Sequence, residues 1–149
     1  MANETRIYTG TPKVVESNGV SIANNALAPA STGTYNRASD GAGYPDAEFV
    51  LTATFAVAPV EGSSIALYAQ PLDVKGTLDT EVPEAARPTH FVGVFIVNNV
   101  TTAQTMTLQG GPARRLPALA SYYAHNNGCG QSVSAGWTLE ITPCTMGPA

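Results

Sequence analysis

The stretch "AEFVLTATFAV" at residues 47–57 decides how this chain is read. Phe49, Leu51, Ala53 and Phe55 alternate with Val50, Thr52 and Thr54. That period of two turns one face of a strand into a core and the other toward solvent. Pro59 and Gly62 in "APVEG" break the run, and "SSIALYAQ" at residues 63–70 resumes it. There Ile65, Leu67 and Ala69 share one face, and Ala66 and Tyr68 the other. The short connection predicts an antiparallel pair of strands.

The same reading extends outward in both directions. In residues 89–97, "THFVGVFIV", Phe91, Gly93, Phe95 and Val97 alternate with Val92, Val94 and Ile96. Residues 98–101 mark a turn, residues 103–108 return as a strand, and "GGPARRLPA" at residues 110–118 is the next loop. "LASYYAHNN" and "GWTLEITP" supply two closing strands around the wide turn "NNGCGQ". Trp137, Leu139 and Ile141 face inward there, Thr138, Glu140 and Thr142 outward, and Pro143 ends the pairing. The first 45 residues hold few large apolar anchors and predict one pair of short strands followed by the loop "ASTGTYNRASDGAGYP". Residues 1–11 read as an arm that orders only against a neighbour. No stretch keeps helical spacing without Gly, Pro or β-branched interruption. The expectation is a single all-β domain over residues 1–149. It is a β-sandwich of jelly-roll or Greek-key type with about eight strands and little or no helix. An up-and-down barrel is the alternative.

Charged residues make up 12% of the chain, about half the usual ~25%. A surface of Ser, Thr, Asn and Gly in their place suits a protein buried in an assembly, or a polar uncharged exterior. A formal charge of −4 gives no footprint for nucleic acid. "MANETRIYTG" lacks the pattern of a secretory signal, and no apolar run is long enough to span a membrane as a helix. A reducing compartment follows, in which Cys129 and Cys144 are expected to stay free thiols.

Candidate chemistry is sparse. His125 and Cys129 have an H-x₃-C spacing, but only the chance of folding would bring His90 and Cys144 to complete a zinc site. "GQSVSAG" at residues 130–136 fails the nucleophile-elbow pattern and is not followed by a helix. Glu48 and Glu140 are the strand-borne acids, and each is expected on an outer face rather than as a convergent pair. No enzyme and no cofactor are expected. Tyr122, Tyr123 and Trp137 could form a sugar-stacking platform, although adjacent strand residues point to opposite sides and alternation favours Trp137 in the core. Residues 71–88, "PLDVKGTLDTEVPEAARP", form a long charged loop suited to partner contact, with Asp79 and Arg87 as candidates. The adjacent Arg114 and Arg115 are the other candidates.

The order of segments carries a resemblance. "LYAQPLDVKG" at residues 67–76, "VTTAQTMTL" at residues 100–108 and "HNNGCGQSVSAGWTL" at residues 125–139 look like a family of small tailed-bacteriophage structural proteins. These are the jelly-roll cement, or decoration, proteins of phage heads, and the resemblance covers roughly residues 45–143. It implies a virion protein that is made in the host cytoplasm and binds the outside of the assembled capsid. There it would link adjacent copies of the major capsid protein, as a homo-oligomeric dimer or trimer. The competing expectation is a tail-tip or fibre-associated β-sandwich that binds a cell-surface carbohydrate.

Overall fold

Alternating burial along residues 46–53 is the feature from which the architecture grows. In the computed structural model, which describes residues 5–41, 43–72, 82–86 and 90–148, there are eleven strands and no helix. They are β1 (Thr5–Thr9), β2 (Lys13–Gly19), β3 (Leu27–Pro29), β4 (Tyr35–Asn36), β5 (Asp46–Ala53) and β6 (Ser64–Pro71). β7 (Phe91–Ile96), β8 (Gln104–Thr107), β9 (Ala113–Arg114), β10 (Leu119–Asn127) and β11 (Trp137–Pro148) complete the set. All pairings are antiparallel.

Several strands share a lane. β1 and β2 lie end to end along β11, β8 and β9 along β5, and β3 and β4 along β10, so the strands form four lanes in each of two sheets. Numbered in chain order, the lanes run 1-8-3-6 in the first sheet and 2-7-4-5 in the second. First pairs with eighth, second with seventh, third with sixth and fourth with fifth. The chain is therefore one long antiparallel hairpin rolled into two sheets, which is a jelly roll.

This order corrects the expected pair at residues 47–70. β5 lies in the first sheet between β11 and the β8/β9 lane, whereas β6 lies in the second between β10 and β7. Residues 54–63 cross between the sheets instead of turning back within one. β7 and β8 are separated in the same way by residues 97–103. The N-terminal segment is corrected too: Thr5–Thr9 is a strand paired with the end of β11, not an arm awaiting a neighbour. β1 and β2 do not pair with each other; both run along β11. Tyr35 and Asn36, expected in a loop, pair with Ala120 and Leu119.

Pro143 does not end β11. It sits opposite Ala47, and its carbonyl accepts from Gly10 N at 2.7 Å. Both backbone groups of an antiparallel residue face the same neighbour. The donorless nitrogen of Pro143 thus faces residues 10–12, the break between β1 and β2, where no ladder bond is lost.

Both inner faces meet in one core. β5 contributes Phe49 and Leu51, β11 Trp137, Leu139 and Ile141, β6 Ile65 and Leu67, and β10 Tyr122, all essentially sealed from solvent. Each such side chain contributes roughly 1.5–3 kcal/mol. Phe49 meets Tyr122 edge-on across the sheets, with ring centroids 5.1 Å apart. Trp137 donates from Nε1 to Val20 O at 2.7 Å, and a Cβ at Gly19 would overlap its indole, so only glycine fits there. Phe91 departs from the sequence pattern. A bulge pairs Leu67 with Gly93 but Tyr68 with Phe91, which turns Phe91 off the core face and onto the Tyr68 ring.

Glu16 of β2 is a buried carboxylate. Its Oε1 accepts from Ser17 N, Asn18 N and Thr32 Oγ1, and its Oε2 from Ser31 N and Ser31 Oγ. These bonds fasten β2, in the first sheet, to the segment between β3 and β4 in the second. Burial by itself favours the neutral acid. The hydrogen bonds from Ser31 and Asn18 backbone and from the Ser31 and Thr32 hydroxyls outweigh it, and the carboxyl titrates below its ordinary 4.5. The unfolded chain therefore takes up the proton first as pH falls. Glu16 contributes fully above about pH 4.5, and its contribution is lost as pH drops through the lower folded value. Glu16→Gln should cost about 1–3 kcal/mol at neutral pH and make the acid limb of the stability profile shallower. Urea melts of both proteins between neutral and acid pH test this; parallel profiles would remove Glu16 from the account.

Candidate interaction surface

The lanes formed by β7 and by β8 and β9 are the edges of the two sheets on the same side of the sandwich. Gln109 N donates to Val94 O at 2.9 Å and ties these edges together midway. Toward the start of β7 they separate and leave a groove of about 200 Å³. Its floor is Ala69, Ala113 and Leu116, and its rim is His90, Phe91, Arg114 and Arg115.

The backbone shapes this rim. His90 and Arg115 have φ of 55° and 58°, the left-handed region that side-chain-bearing residues enter at a cost of about 1–2 kcal/mol. Strained residues of this kind gather where a surface is shaped for contact. Phe91 is 61% exposed, and Arg114 and Arg115 are exposed as well. Among the described residues the only ion pair joins Lys13 Nζ to Asp40 at 3.4 Å. Asp46 lies opposite Arg114 in register, yet the two form no ion pair. Both guanidinium groups of the rim are thus free to meet a carboxylate from outside.

The structure brings Arg114 and Arg115 together with His90 and Phe91, a combination that sequence reading missed. Adjacent arginines were visible, but Phe91 followed the core alternation in sequence and only the bulge turns it out. Asp79 and Arg87 lie outside the described residues.

Other candidate sets come apart. Trp137 and Tyr122 are sealed in the core, while Tyr123 lies on the outer side of the second sheet and donates from its hydroxyl to Gln70 Oε1 at 3.1 Å. The three aromatics therefore do not form the sugar platform considered from sequence. His90 rims the groove, His125 lies on the outer face of the second sheet, Cys129 follows β10 and Cys144 belongs to β11. Among the described residues no three His, Cys, Asp or Glu side chains stand together as a metal site. Glu48 and Glu140 lie half-buried on the outer face of the first sheet. His125 Nε2 lies 3.4 Å from Asn25 O. In the stretch that follows, Asn126 is the organising residue. It donates to Ile22 O and Gln131 O, accepts from Cys129 N, and is followed by left-handed Gly128 and Gly130.

Comparison with protein-family models, with curated proteins and with solved structures returns no match to this chain.

Cys129 and Cys144 are both free and both buried. Burial raises the pKa of each; the carboxylates of Glu48 and Asp46 push Cys144 further up, and a hydrogen bond from Ser63 partly offsets the rise at Cys129. A buried neutral thiol is a poor nucleophile. The native protein should react slowly with an aromatic disulfide reagent and release both thiols on unfolding in denaturant. A rapidly titrating thiol in the native state, or no thiol after unfolding, would contradict this arrangement.

Proposed function

We propose that this chain is a non-enzymatic structural protein of a tailed-phage virion, bound to the outside of the assembled capsid and linking adjacent subunits of the major capsid protein. The resemblance over residues 45–143 supports the reading, and so does a jelly-roll lane order of the kind found in viral capsid domains. The observation that carries it furthest is the groove rimmed by Arg114, Arg115 and exposed Phe91. Arginine and aromatic side chains are the residue types enriched where proteins meet. The groove offers a shallow apolar floor and two unpaired cations, which fits an acidic protein segment better than a small metabolite. Asp79 and Arg87 are proposed as further contacts of the same kind. The protein acts by mass action: binding the assembled lattice more tightly than free subunits stabilises that lattice. It is made in the host cytoplasm and ends on the capsid exterior. The carbohydrate-binding alternative loses its support, because Trp137 and Tyr122 are not at the surface.

Arg114→Ala combined with Arg115→Ala should leave the melting temperature of the free protein nearly unchanged, since both side chains are exposed. It should weaken binding to purified heads by at least about tenfold, and heads carrying the variant should release their genome at lower temperature. Quantitative occupancy of tailless heads, measured by mass spectrometry, checks the assignment. Unchanged occupancy would remove the groove from it, and a protein found in tails rather than heads would overturn the reading itself.

A further inference from the structure

Four connections, residues 20–26, 54–63, 97–103 and 128–136, all cross from one sheet to the other, and the registers place them at the same end of the sandwich. In the first sheet that end is marked by Gly19 beside Trp137 and by Ala53 beside Gln104. In the second it is marked by Leu27 beside His125, and by Ser64 beside both Asn127 and Ile96. Large apolar side chains are exposed there: Val20, Val57 and Val60 each by more than half, with Val100 and Ile96 beside them. These five are most of the exposed large apolar residues among those described. The four loops contain a single charged side chain, Glu61, whose carboxylate accepts from Asn99 N.

The end is also braced. Val60 N donates to Cys129 O, Gly62 N to Val97 O, Asn99 Nδ2 to Pro59 O, and Gly130 N to Asn24 Oδ1. Ile22 and Val133 form a bridge between the first loop and the last. Much of the polar surface of the loops is therefore satisfied from within, and ordering them on contact costs little entropy.

We infer that this braced, charge-poor end, centred on Val20, Val57 and Val60, is the surface through which the chain associates with copies of itself. The charge distribution selects that occupant. The chain carries a net −4, and copies related by a rotation axis bring identical residues face to face near that axis. A like charge at the axis would be opposed by its own copy, so an axis-facing surface is favoured by few charges and by self-complementary apolar area. This end comes close to that condition, since its one charge, the Glu61 carboxylate, is held by Asn99 N. The opposite end, with Arg37, Asp40, Arg114 and Arg115, does not. Association by the valine end leaves the arginine groove at the far end free for a different partner. The inference does not rest on the capsid reading, because it concerns the protein by itself.

Sedimentation equilibrium of the full chain tests it. The wild-type protein should be a discrete oligomer whose stability changes little between low salt and about 1 M salt, where charge-mediated contacts are screened. Val57→Glu with Val60→Glu should shift it to monomer with an unchanged circular dichroism spectrum, whereas Val82→Glu, outside these loops, should leave the oligomer intact. A wild-type monomer at high concentration would overturn the inference, and that result includes the case in which a foreign protein covers this end. So would an oligomer that survives the double substitution or dissolves in salt. Val57→Ser with Val60→Ser gives the same reading, a weakened oligomer, if the glutamates prevent folding. A monomer that still decorates heads would sink this inference alone; an oligomer absent from heads would sink the capsid reading alone.

Discussion

The antiparallel register of β11 on β5 constrains everything else in the molecule. Leu139 lies opposite Leu51 and Ile141 opposite Phe49, so both central strands of the first sheet turn their apolar residues inward together. A slip of one residue would turn every one of them outward, which makes the register costly to alter. Once β11 is seated, its outer edge takes β2 and β1 in succession, and Trp137 reaches Val20 O across the space that Gly19 leaves open. The second sheet then closes on this platform through Ile65, Leu67 and Tyr122.

Polar groups carried inward by this rolling are mostly held by nearby chain. Glu16 binds the segment between β3 and β4, and Asn126 binds the loop between β2 and β3 and the loop after β10. Each holds an irregular segment in one conformation at a point where backbone groups would otherwise lack partners. Tyr122 Oη and His125 Nδ1 are the buried side-chain atoms without a hydrogen bond among the described residues. Burial pushes the Tyr122 hydroxyl far above its ordinary range, with a smaller contribution from Tyr35, so it remains a neutral phenol in the core.

Much of this was legible in the sequence, because period-two alternation reports which face of a strand is buried. Phe49, Leu51, Ala53, Trp137, Leu139 and Ile141 could be placed from it directly. Alternation says nothing about which strand lies alongside. Residues 54–63 are long enough to make a hairpin or to cross the ~10 Å between packed sheets, and their composition serves either path. Pro143 misled for a related reason: proline ends a ladder only if its nitrogen faces a partner, and the break in the neighbouring lane decides that. At the groove, Arg114 and Arg115 were visible as an adjacent pair. Phe91 was hidden by its apparent place in the core pattern, since a bulge leaves no signature beyond the residues that happen to form it. Glu16 and Asn126 carried no motif, and their partners lie in other loops.

The scarcity of charge takes on a different meaning once the charges have positions. A polar exterior built for solubility would scatter its few ions over the surface. Here the crossing loops hold Glu61 alone, while Arg37, Asp40, Arg114 and Arg115 stand near the opposite end. A jelly roll makes this separation possible because its loops emerge in two groups at the ends of the lanes, so each group can change composition without disturbing the core between them. An end with so little charge gains little from long-range attraction and is limited by close fit, which suits contact with a surface of matching shape. A charged end with unpaired guanidinium groups attracts an acidic partner at a distance before contact is made. On the two proposals above, one fold would carry two surfaces that differ in range and in salt dependence, as a protein needs if it must hold its own copies and a separate lattice at the same time.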